Sequence, residues 1–413
     1  METVLIVAYH FPPCAGSSGL LRSEKFARFL PQLGWTPIVL APHVRAYEAI
    51  DRDSEKRVQA TVLRPFALDT KEHLSFRNSY LDWMALPDRW VSWLLGAIPA
   101  GLKAIRKYRI RVIFSTFPIS TAVLIGLVLH RLTGLPWVVD LRDSMTEDGY
   151  PKDARTRNVR RWIERQAVRR ASFVIFTASS TRRMYLERYP DLPPDRCLLI
   201  PNGYDEDDFS TLQANVPEKG LASRPLKLLH TGLIYPEERD PRPFFRALAR
   251  LKREGKISAS DLKIVLRGSG SEDLFNRALK ELAIQDIVEL LPHVPYRQAL
   301  QECAEADGLL LFQAGNCDHQ IPAKAYEYLR LGKPILALTT HRGDTAALLK
   351  ETGGATIVKL ADEEDIYSSF PGYLGMLRSG THSLPRATDV QRYSRKSQAA
   401  ALANCLNKTQ TEG

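Results

Sequence analysis

The residues whose types and spacing most clearly suggest chemistry lie in NCDHQIPAKAYEYLRLGKPILAL, residues 316–338. Pro322 suits the first turn of a helix, and Gly332 suits the position just after its end. Lys324 and Glu327 then fall on one face of that helix. A helix N-terminus favours a bound phosphate, and a carboxylate one turn further in can accept hydrogen bonds from ribose hydroxyls. The segment therefore predicts a nucleotide site, with a surface Lys–Glu pair as the alternative.

A second candidate is the glycine-rich turn in HFPPCAGSSGLLRSEKFARFL, residues 10–30, which follows the apolar run Val4 to Ala8. Gly16 and Gly19 would let the backbone approach a ligand closely, and the N–H groups of the following helix favour negative charge. An ordinary turn is the alternative. The turn matches neither G-x-G-x-x-G nor G-x-x-x-x-G-K-[ST], so it favours neither nicotinamide nor P-loop chemistry.

We expect no structural zinc. The five cysteines are scattered, and their spacing with the histidines is not that of metal ligands. The acidic string Asp205 to Asp208 could suggest a magnesium site, but such sites combine few protein carboxylates with substrate phosphates. We therefore expect a solvated turn there.

The elements that must position these residues are short apolar strands that alternate with longer helical patterns. In the first half, strands are predicted at Val4 to Ala8, Pro37 to Ala41, Val112 to Phe117, Trp137 to Leu141, Phe173 to Thr177 and Leu198 to Ile200. In the second half, they are predicted at Leu226 to His230, Lys263 to Leu266, Val288 to Leu291, Leu309 to Phe312, Pro334 to Leu338 and Thr356 to Val358. Helices are predicted at Ser120 to Leu132, Arg242 to Lys252 and Tyr296 to Ala306. This alternation is typical of parallel sheets covered by helices on both faces.

The length of 413 residues exceeds what one hydrophobic core usually supports, so we expect two doubly wound α/β domains. The expected boundaries are an N-terminal domain over 1–203, a linker over 204–224 and a second domain over 225–384. Residues 385–413 are expected to form a C-terminal helix and tail that packs back towards the N-terminal domain. Because ligands bind at the carboxyl ends of parallel strands, two such domains facing each other would make a central cleft.

The net charge of +10 is unevenly placed along the chain. One basic cluster follows WVSWLLGAIPAGL, and a second precedes the strand at Phe173. The clusters comprise Lys103, Arg106, Lys107, Arg109 and Arg111, then Arg155, Arg157, Arg160, Arg161, Arg165, Arg169 and Arg170. They indicate either solvated helix faces or a surface that meets anionic lipid. No nucleic-acid-binding motif accompanies them. Without a signal peptide or a membrane-spanning run, we expect a cytoplasmic protein that rests at most on the inner face of the cytoplasmic membrane.

Taken together, five segments make the chain resemble the family 4 glycosyltransferases of the GT-B fold, especially the bacterial enzymes of O-antigen and exopolysaccharide synthesis. They are YHFPPCAGSSGLLRSEKFARFLPQLGW, STFPISTAVLIGLVLHRLTGLPWVVDLRD, IPNGYDEDDF, IPAKAYEYLRLGKPILAL and GDTAALLKETGGA. The resemblance extends over nearly the whole chain. It implies two Rossmann-like domains that face a central cleft.

The resemblance also implies roles for single residues. Gly16 and Gly19 would close over the donor, Glu327 would match the later glutamate of the family's E-x7-E motif, which binds ribose, and Arg239 would steady the diphosphate. Arg142 and Asp143 would face the transferred sugar, and Lys324 would add positive charge. Three positions differ from the common pattern. His319 replaces the earlier glutamate of the motif, Leu233 replaces a diphosphate-binding arginine, and Arg142 stands where many relatives carry histidine.

The implied reaction is transfer of a hexosyl-type sugar from a nucleoside-diphosphate sugar, with retention and without a metal, to a saccharide or lipid-linked acceptor. The nucleotide sugar is then a co-substrate, and no cofactor is needed. Two alternatives stay open at this point. His319 and Leu233 suggest a non-catalytic nucleotide-sugar-binding protein, and the two-domain plan also occurs in sugar-nucleotide epimerases.

Overall fold

The structure is a computed structural model that describes residues 1–15, 19–77, 79–210, 212 and 224–411. It divides into two compact units. Unit 1 comprises Met1–Asn202 and Arg395–Gly413, and unit 2 comprises Gly203–Ser394.

Unit 1 is built on a parallel sheet with the strand order β3-β2-β1-β4-β5-β6-β7 among the described residues. The strands are β1 (Glu2–Val7), β2 (Trp35–Leu40), β3 (Thr61–Leu63), β4 (Val112–Thr116), β5 (Trp137–Leu141), β6 (Phe173–Phe176) and β7 (Cys197–Leu199). The central strands are apolar on both faces, as in β1, where Val4 to Val7 are fully buried. This sheet therefore needs a layer of helices on each side.

The helices of unit 1 supply those two layers. They are α1 (Gly19–Phe29), α2 (Arg52–Glu55), α3 (Thr70–His73), α4 (Trp93–Tyr108), α5 (Ser120–Thr133), α6 (Ala154–Arg170), α7 (Ser179–Arg188) and, last in the chain, α17 (Arg395–Thr411). One core contains Phe26 of α1 and Leu402 of α17, whereas the other contains Ile125 of α5. Trp35 Nε1 donates to Asn407 Oδ1 at 2.9 Å, which fixes α17 beside the start of β2.

Unit 2 repeats the plan with the strand order β10-β9-β8-β11-β12-β13 among its described residues. The strands are β8 (Leu226–Thr231), β9 (Leu262–Arg267), β10 (Val288–Leu291), β11 (Gly308–Phe312), β12 (Ile335–Leu338) and β13 (Ala355–Val358). The helices are α8 (Glu206–Phe209), α9 (Pro236–Arg239), α10 (Arg242–Arg253), α11 (Glu272–Glu281), α12 (Tyr296–Glu305), α13 (Ala323–Leu331), α14 (Asp344–Thr352), α15 (Glu363–Ser379) and α16 (Ala387–Gln391). Short 3-10 helices occur in both units, at Leu30–Leu33, Val44–Ala46, Asp82–Ala85, Pro194–Arg196 and Gly315–Cys317.

The two parallel sheets confirm the predicted α/β class, and each predicted strand is present with its ends shifted by at most about two residues. The sequence missed β3, which has three residues at the edge of its sheet. The prediction of a solvated turn at Asp205 to Asp208 is wrong, because Glu206–Phe209 form a short helix that Asp205 caps by accepting from the N–H of Asp207. The helix is explained by the N-cap Asp205, which is buried, and by Phe209, its fourth residue, which packs into the core of unit 2.

Residues of the expected linker contribute to unit 2, because Tyr204 and Phe209 are buried in its core. Unit 2 continues through α16 to Ser394, ten residues beyond the expected end at 384. Within the described ranges, no helix combines the length and the apolar composition needed to cross a membrane.

Candidate functional site

In unit 2, a lysine side chain lies over a glycine at the carboxyl end of β8. The strand ends at Thr231, and Gly232 follows with φ +92°. A Cβ atom at Gly232 would be 2.7 Å from Nζ of Lys324, on the first turn of α13. A larger residue at position 232 would therefore meet the ammonium as well as backbone strain. Pro322, predicted within the first turn, is the N-cap of α13.

Positive charge accumulates at this point of unit 2. Burial and then the nearby guanidinium of Arg239 lower the pKa of Lys324, while Glu327 acts in the opposite direction. Burial and then the Lys324 charge lower the pKa of His230 to about 3, so this histidine is neutral. Two cations and a helix N-terminus lie at the carboxyl edge of one parallel sheet. Such an arrangement can bind a phosphate or diphosphate.

Glu327 lies one turn further along the face of α13 that carries Lys324. The hydroxyl of Tyr296, at the start of α12, donates to Glu327 Oε1 at 2.9 Å. The following residue, Tyr328, is buried, and its hydroxyl accepts from the N–H of Thr231 at 3.3 Å. These contacts hold the helix against β8 and orient the carboxylate. An oriented, partly exposed carboxylate can accept hydrogen bonds from a diol.

The loop before α13 is braced from inside by Gln313. Its amide nitrogen donates to the carbonyl oxygens of Cys317 and Gln320 at 2.7 and 2.9 Å. Because two acceptors fix the nitrogen, the orientation of the amide is determined, and its oxygen is buried without a described partner. His319 lies in the same loop, with Nε2 at 3.2 Å from Nε2 of Gln320.

A cavity of about 1020 Å³ in unit 2 adjoins this loop. Gln313, Asp318 and Asp240 line it, together with residues that follow β12 and β13. Of the described residues, neither Lys324 nor Glu327 is part of its lining. The cavity also touches Pro236 and Glu237 of α9, the helix that carries Arg239, so it adjoins the Lys324–Arg239 region.

In unit 1, the predicted pair Arg142 and Asp143 directly follows β5. The Arg142 side chain is buried, and its Nε donates to the carbonyl oxygen of Phe117 at 2.7 Å. Its guanidinium occupies the space that a Cβ atom at Gly19 would need, because both terminal nitrogens lie 2.5 Å from that position. Asp143 is exposed. The structure thus brings Gly19 and Arg142 together, whereas Gly16 lies outside the described residues.

Sequence reasoning missed a buried ion pair next to this region. Arg22 on α1 donates to both carboxylate oxygens of Asp140, at 3.0 and 2.9 Å. The same guanidinium donates to the carbonyl oxygens of Ile200 and Pro201, and Thr116 also donates to Asp140. The pair therefore joins α1, β5 and the end of the first chain segment of unit 1. The available signal was one carboxylate inside the otherwise apolar strand WVVDL.

Two residues of unit 2 were also missed. Gly232 and His230 lie at the end of β8. Lys324 occupies the space beside Gly232, and its charge lowers the pKa of His230. Only their position in the sequence could have indicated them, because ligands bind at the carboxyl end of the central strand of an open sheet. In the described part of the chain, histidine, cysteine and acidic side chains form no group of three or more that could hold a metal ion.

Comparison with known proteins agrees with this architecture. Residues 22–203 match the model of the family described as "Glycosyl transferase 4-like domain". Comparison with curated proteins finds no match. Among solved structures, sucrose-phosphate synthase from Thermosynechococcus elongatus is similar with a TM-score of 0.67 at 14% identity, covering 100% of both chains.

Two further solved structures are similar over their whole length. HepE from Anabaena, in complex with UDP, has a TM-score of 0.67 at 14% identity and covers 99% of this chain and 100% of its own. The apo form of the lipopolysaccharide outer core galactosyltransferase WaaB has a TM-score of 0.61 at 12% identity and covers 98% of this chain and 99% of its own. At these identities the likeness shows the fold. Residues 22–203 thus match a glycosyl transferase 4-like domain, and the chain as a whole has the two-unit GT-B fold.

Proposed function

We propose that this protein is a retaining glycosyltransferase that moves a sugar from a nucleoside-diphosphate sugar to a saccharide or lipid-linked acceptor during synthesis of a cell-surface polysaccharide. The observation that carries the proposal is the position of Lys324 over Gly232, beside Arg239 and on the helix face that carries Glu327. We assign the diphosphate to Lys324, Arg239 and the N-terminus of α13. We assign the ribose to Glu327.

In the proposed reaction, the bond between the anomeric carbon and the diphosphate oxygen breaks, and its electron pair stays on the diphosphate. An acceptor hydroxyl forms the new bond on the same face of that carbon, and its proton passes to the departing diphosphate. Negative charge grows on the leaving group, so the fixed cations of unit 2 stabilise the transition state. We assign Arg142 and Asp143 of unit 1 to the transferred sugar, and His319 of unit 2 to binding of the nucleotide-sugar donor.

UDP is the first nucleotide to test, because HepE was solved with UDP and with UDP-glucose. The name of WaaB supports a role in surface polysaccharide, and we therefore place the protein on the cytoplasmic face of the membrane where a lipid-linked acceptor would lie. The basic residues at the start of α6 would add electrostatic attraction to anionic lipid, at about 1 kcal/mol per residue near the surface.

The test is release of nucleoside diphosphate from a panel of UDP-, GDP- and ADP-sugars, with membrane extract as the acceptor source. We expect turnover with one donor class, unchanged turnover in EDTA, and a loss of about tenfold or more in Lys324→Gln. Lys280→Gln, an exposed lysine on α11, is the matched control. Complete loss in EDTA that magnesium restores would contradict the metal-independent site.

A non-catalytic nucleotide-sugar-binding protein is the second candidate. It is favoured by His319 and by Leu233, whose side chain is half exposed at the turn after β8. Tight binding of a nucleotide sugar without turnover, across several acceptor extracts, would select this candidate. Transfer of labelled sugar to an extract lipid or saccharide would eliminate it.

A further inference from the structure

The exposed apolar side chains of unit 1 are concentrated in one short part of the chain. Between α3 and α4 lie five large hydrophobic side chains that are exposed: Leu74, Phe76, Tyr80, Leu81 and Trp83. Three of them are among the most exposed large apolar residues of the described chain, at 77% for Phe76, 61% for Leu81 and 68% for Trp83. We call these five residues the apolar cluster. Several exposed apolar side chains within one short connection are typical of an interaction site.

The cluster has a fixed place in the topology of unit 1. The connection that carries it leaves the carboxyl end of β3 and enters the N-terminus of α4, so it lies at the carboxyl edge of the sheet. Arg142 follows β5 at that same edge. A surface that binds the apolar cluster would therefore approach unit 1 from the side where we place its substrate contacts.

The connection is anchored at both ends while the cluster projects from it. Ser92 exchanges hydrogen bonds of 2.9 Å with the backbone of Leu68, and the hydroxyl of Thr70 donates to the carbonyl oxygen of Met84 at 2.8 Å. Between these anchors, Phe76 and Ser79 exchange backbone hydrogen bonds of 2.8 and 3.0 Å. The cluster thus lies in a connection whose described residues are hydrogen-bonded at both ends and at Phe76 and Ser79.

Basic side chains border the cluster. Arg77 lies over the ring of Phe76, with Cζ 5.5 Å from the ring centroid. The first turns of α6 lie against the same connection, because Arg155 is 3.9 Å from Asp82 and Arg160 donates to the carbonyl oxygen of Pro87. In contrast, the basic cluster at the end of α4 lies at the opposite, amino edge of the sheet, just before β4. Aromatic side chains bordered by arginines suit the interface of an anionic bilayer.

We propose that the apolar cluster is a membrane-docking element, which inserts Phe76, Leu81 and Trp83 into the interfacial region of a bilayer that contains anionic lipid. The inference rests on the peripheral attachment proposed above and deepens it by naming the residues and the edge of unit 1 that meet the lipid. Apolar insertion supplies binding that salt does not screen, and the arginines add a salt-dependent part.

The test is sedimentation of the full chain with vesicles of phosphatidylcholine alone or mixed equally with phosphatidylglycerol, at low and high salt. We expect binding to the mixed vesicles that weakens but persists at high salt. Phe76→Ser combined with Trp83→Ser should weaken that binding about tenfold or more. The matched control is Leu132→Ser, because Leu132 is 60% exposed and lies in the last turn of α5, at the amino edge of the sheet. It should bind like the unsubstituted protein.

Equal binding by the double variant and the unsubstituted protein overturns the inference, as does equal loss in Leu132→Ser. Binding that disappears entirely at high salt also overturns it, because charge alone would then suffice. If no vesicle binds and the double variant instead abolishes a dimer seen by size exclusion, the cluster is an interface between copies. Donor turnover by the soluble protein is measured separately, so failure here leaves the proposed glycosyltransferase activity to its own test. Melting temperatures of the variants confirm that they are folded.

Discussion

In each unit of this protein, a glycine at the carboxyl edge of the sheet admits a basic side chain. In unit 1, Gly19 receives the guanidinium of Arg142, and in unit 2, Gly232 receives the ammonium of Lys324. The surroundings of the two cations differ. Burial lowers the pKa of Arg142, while the carboxylates of Asp143 and then Asp140 oppose this shift. For Lys324, burial and then a second cation, Arg239, lower the pKa, and the carboxylate of Glu327 opposes them.

The comparison distinguishes charged side chains that stabilise the fold from charged side chains that can bind a ligand. Unit 1 neutralises its buried charge internally, most completely in the Arg22–Asp140 pair. Unit 2 gathers two cations whose mutual repulsion would be relieved by an anion. We therefore expect substitutions at the first region to change mainly the free energy of unfolding, and substitutions at the second to change mainly nucleotide affinity.

The largest expected effect is on stability, at the ion pair of unit 1. Arg22→Met leaves the fully buried carboxylate of Asp140 without its partner, which should lower the free energy of unfolding by about 3–5 kcal/mol. Urea unfolding measures this loss. Arg111→Met, which removes an exposed pair with Glu2, should cost at most about 1 kcal/mol. Similar effects of the two substitutions would show that the buried pair does not stabilise unit 1.

A glycine comparison tests the role of Lys324 directly. Gly232 and Gly34 have nearly the same left-handed backbone, with φ +92° and +87°, but a Cβ atom at Gly34 would meet nothing within 4 Å. Each glycine-to-alanine substitution should cost about 1–2 kcal/mol of stability. Only Gly232→Ala should also weaken UDP binding, by about tenfold, because its methyl group displaces the ammonium. If both variants bind UDP equally in calorimetry, the position of Lys324 does not matter for the nucleotide.

The effect that is smallest near neutral pH is a pH dependence at His230. Its pKa is about 3 in the folded chain, below the ordinary 6.5, so the unfolded state takes up a proton first as the pH falls. Stability should therefore decrease from about pH 6.5 downwards, by at most about 1.4 kcal/mol per pH unit. His230→Gln keeps a donor for the carbonyl of Leu310 and should flatten the dependence of stability on pH. The difference in the free energy of unfolding between the two proteins at pH 8 measures the part of the substitution's effect that does not depend on titration. Parallel pH profiles for the two proteins would contradict the assignment.

The sequence was sufficient for the sheets, because buried parallel strands read as continuous apolar runs such as Val4 to Ala8 and Leu309 to Phe312. It was insufficient for β3, since three residues at a sheet edge carry little apolar signal. The prediction of a turn at Asp205 to Asp208 failed because the local sequence is ambiguous. Acidic residues read as a solvated turn, yet they also favour the first turn of a helix, and the burial of Phe209 decides between the two.

The sequence was enough to name candidate residues for the site, but it could not predict how their side chains pack against one another. The spacing of Lys324 and Glu327 within a helical pattern placed them on one face, because that depends only on helical periodicity. The closeness of Lys324 to Gly232 depends on how α13 lies against β8, and the pairing of Arg22 with Asp140 joins residues 118 positions apart. Such long-range contacts leave no local pattern in a single sequence.

The most direct test of the donor site is calorimetric titration of UDP, with GDP and ADP in parallel, into the unsubstituted protein and Glu327→Gln. This substitution keeps the shape of the side chain and removes its charge, so a lost ribose contact should cost about 1.5–3 kcal/mol, or about tenfold to a hundredfold in affinity. Glu305→Gln, on the exposed surface of α12, is the control and should bind like the unsubstituted protein. We predict weaker binding in Glu327→Gln alone, at an unchanged melting temperature. Unchanged affinity in both Glu327→Gln and Glu327→Ala, with the fold intact, would show that Glu327 is a surface residue and that the donor binds elsewhere.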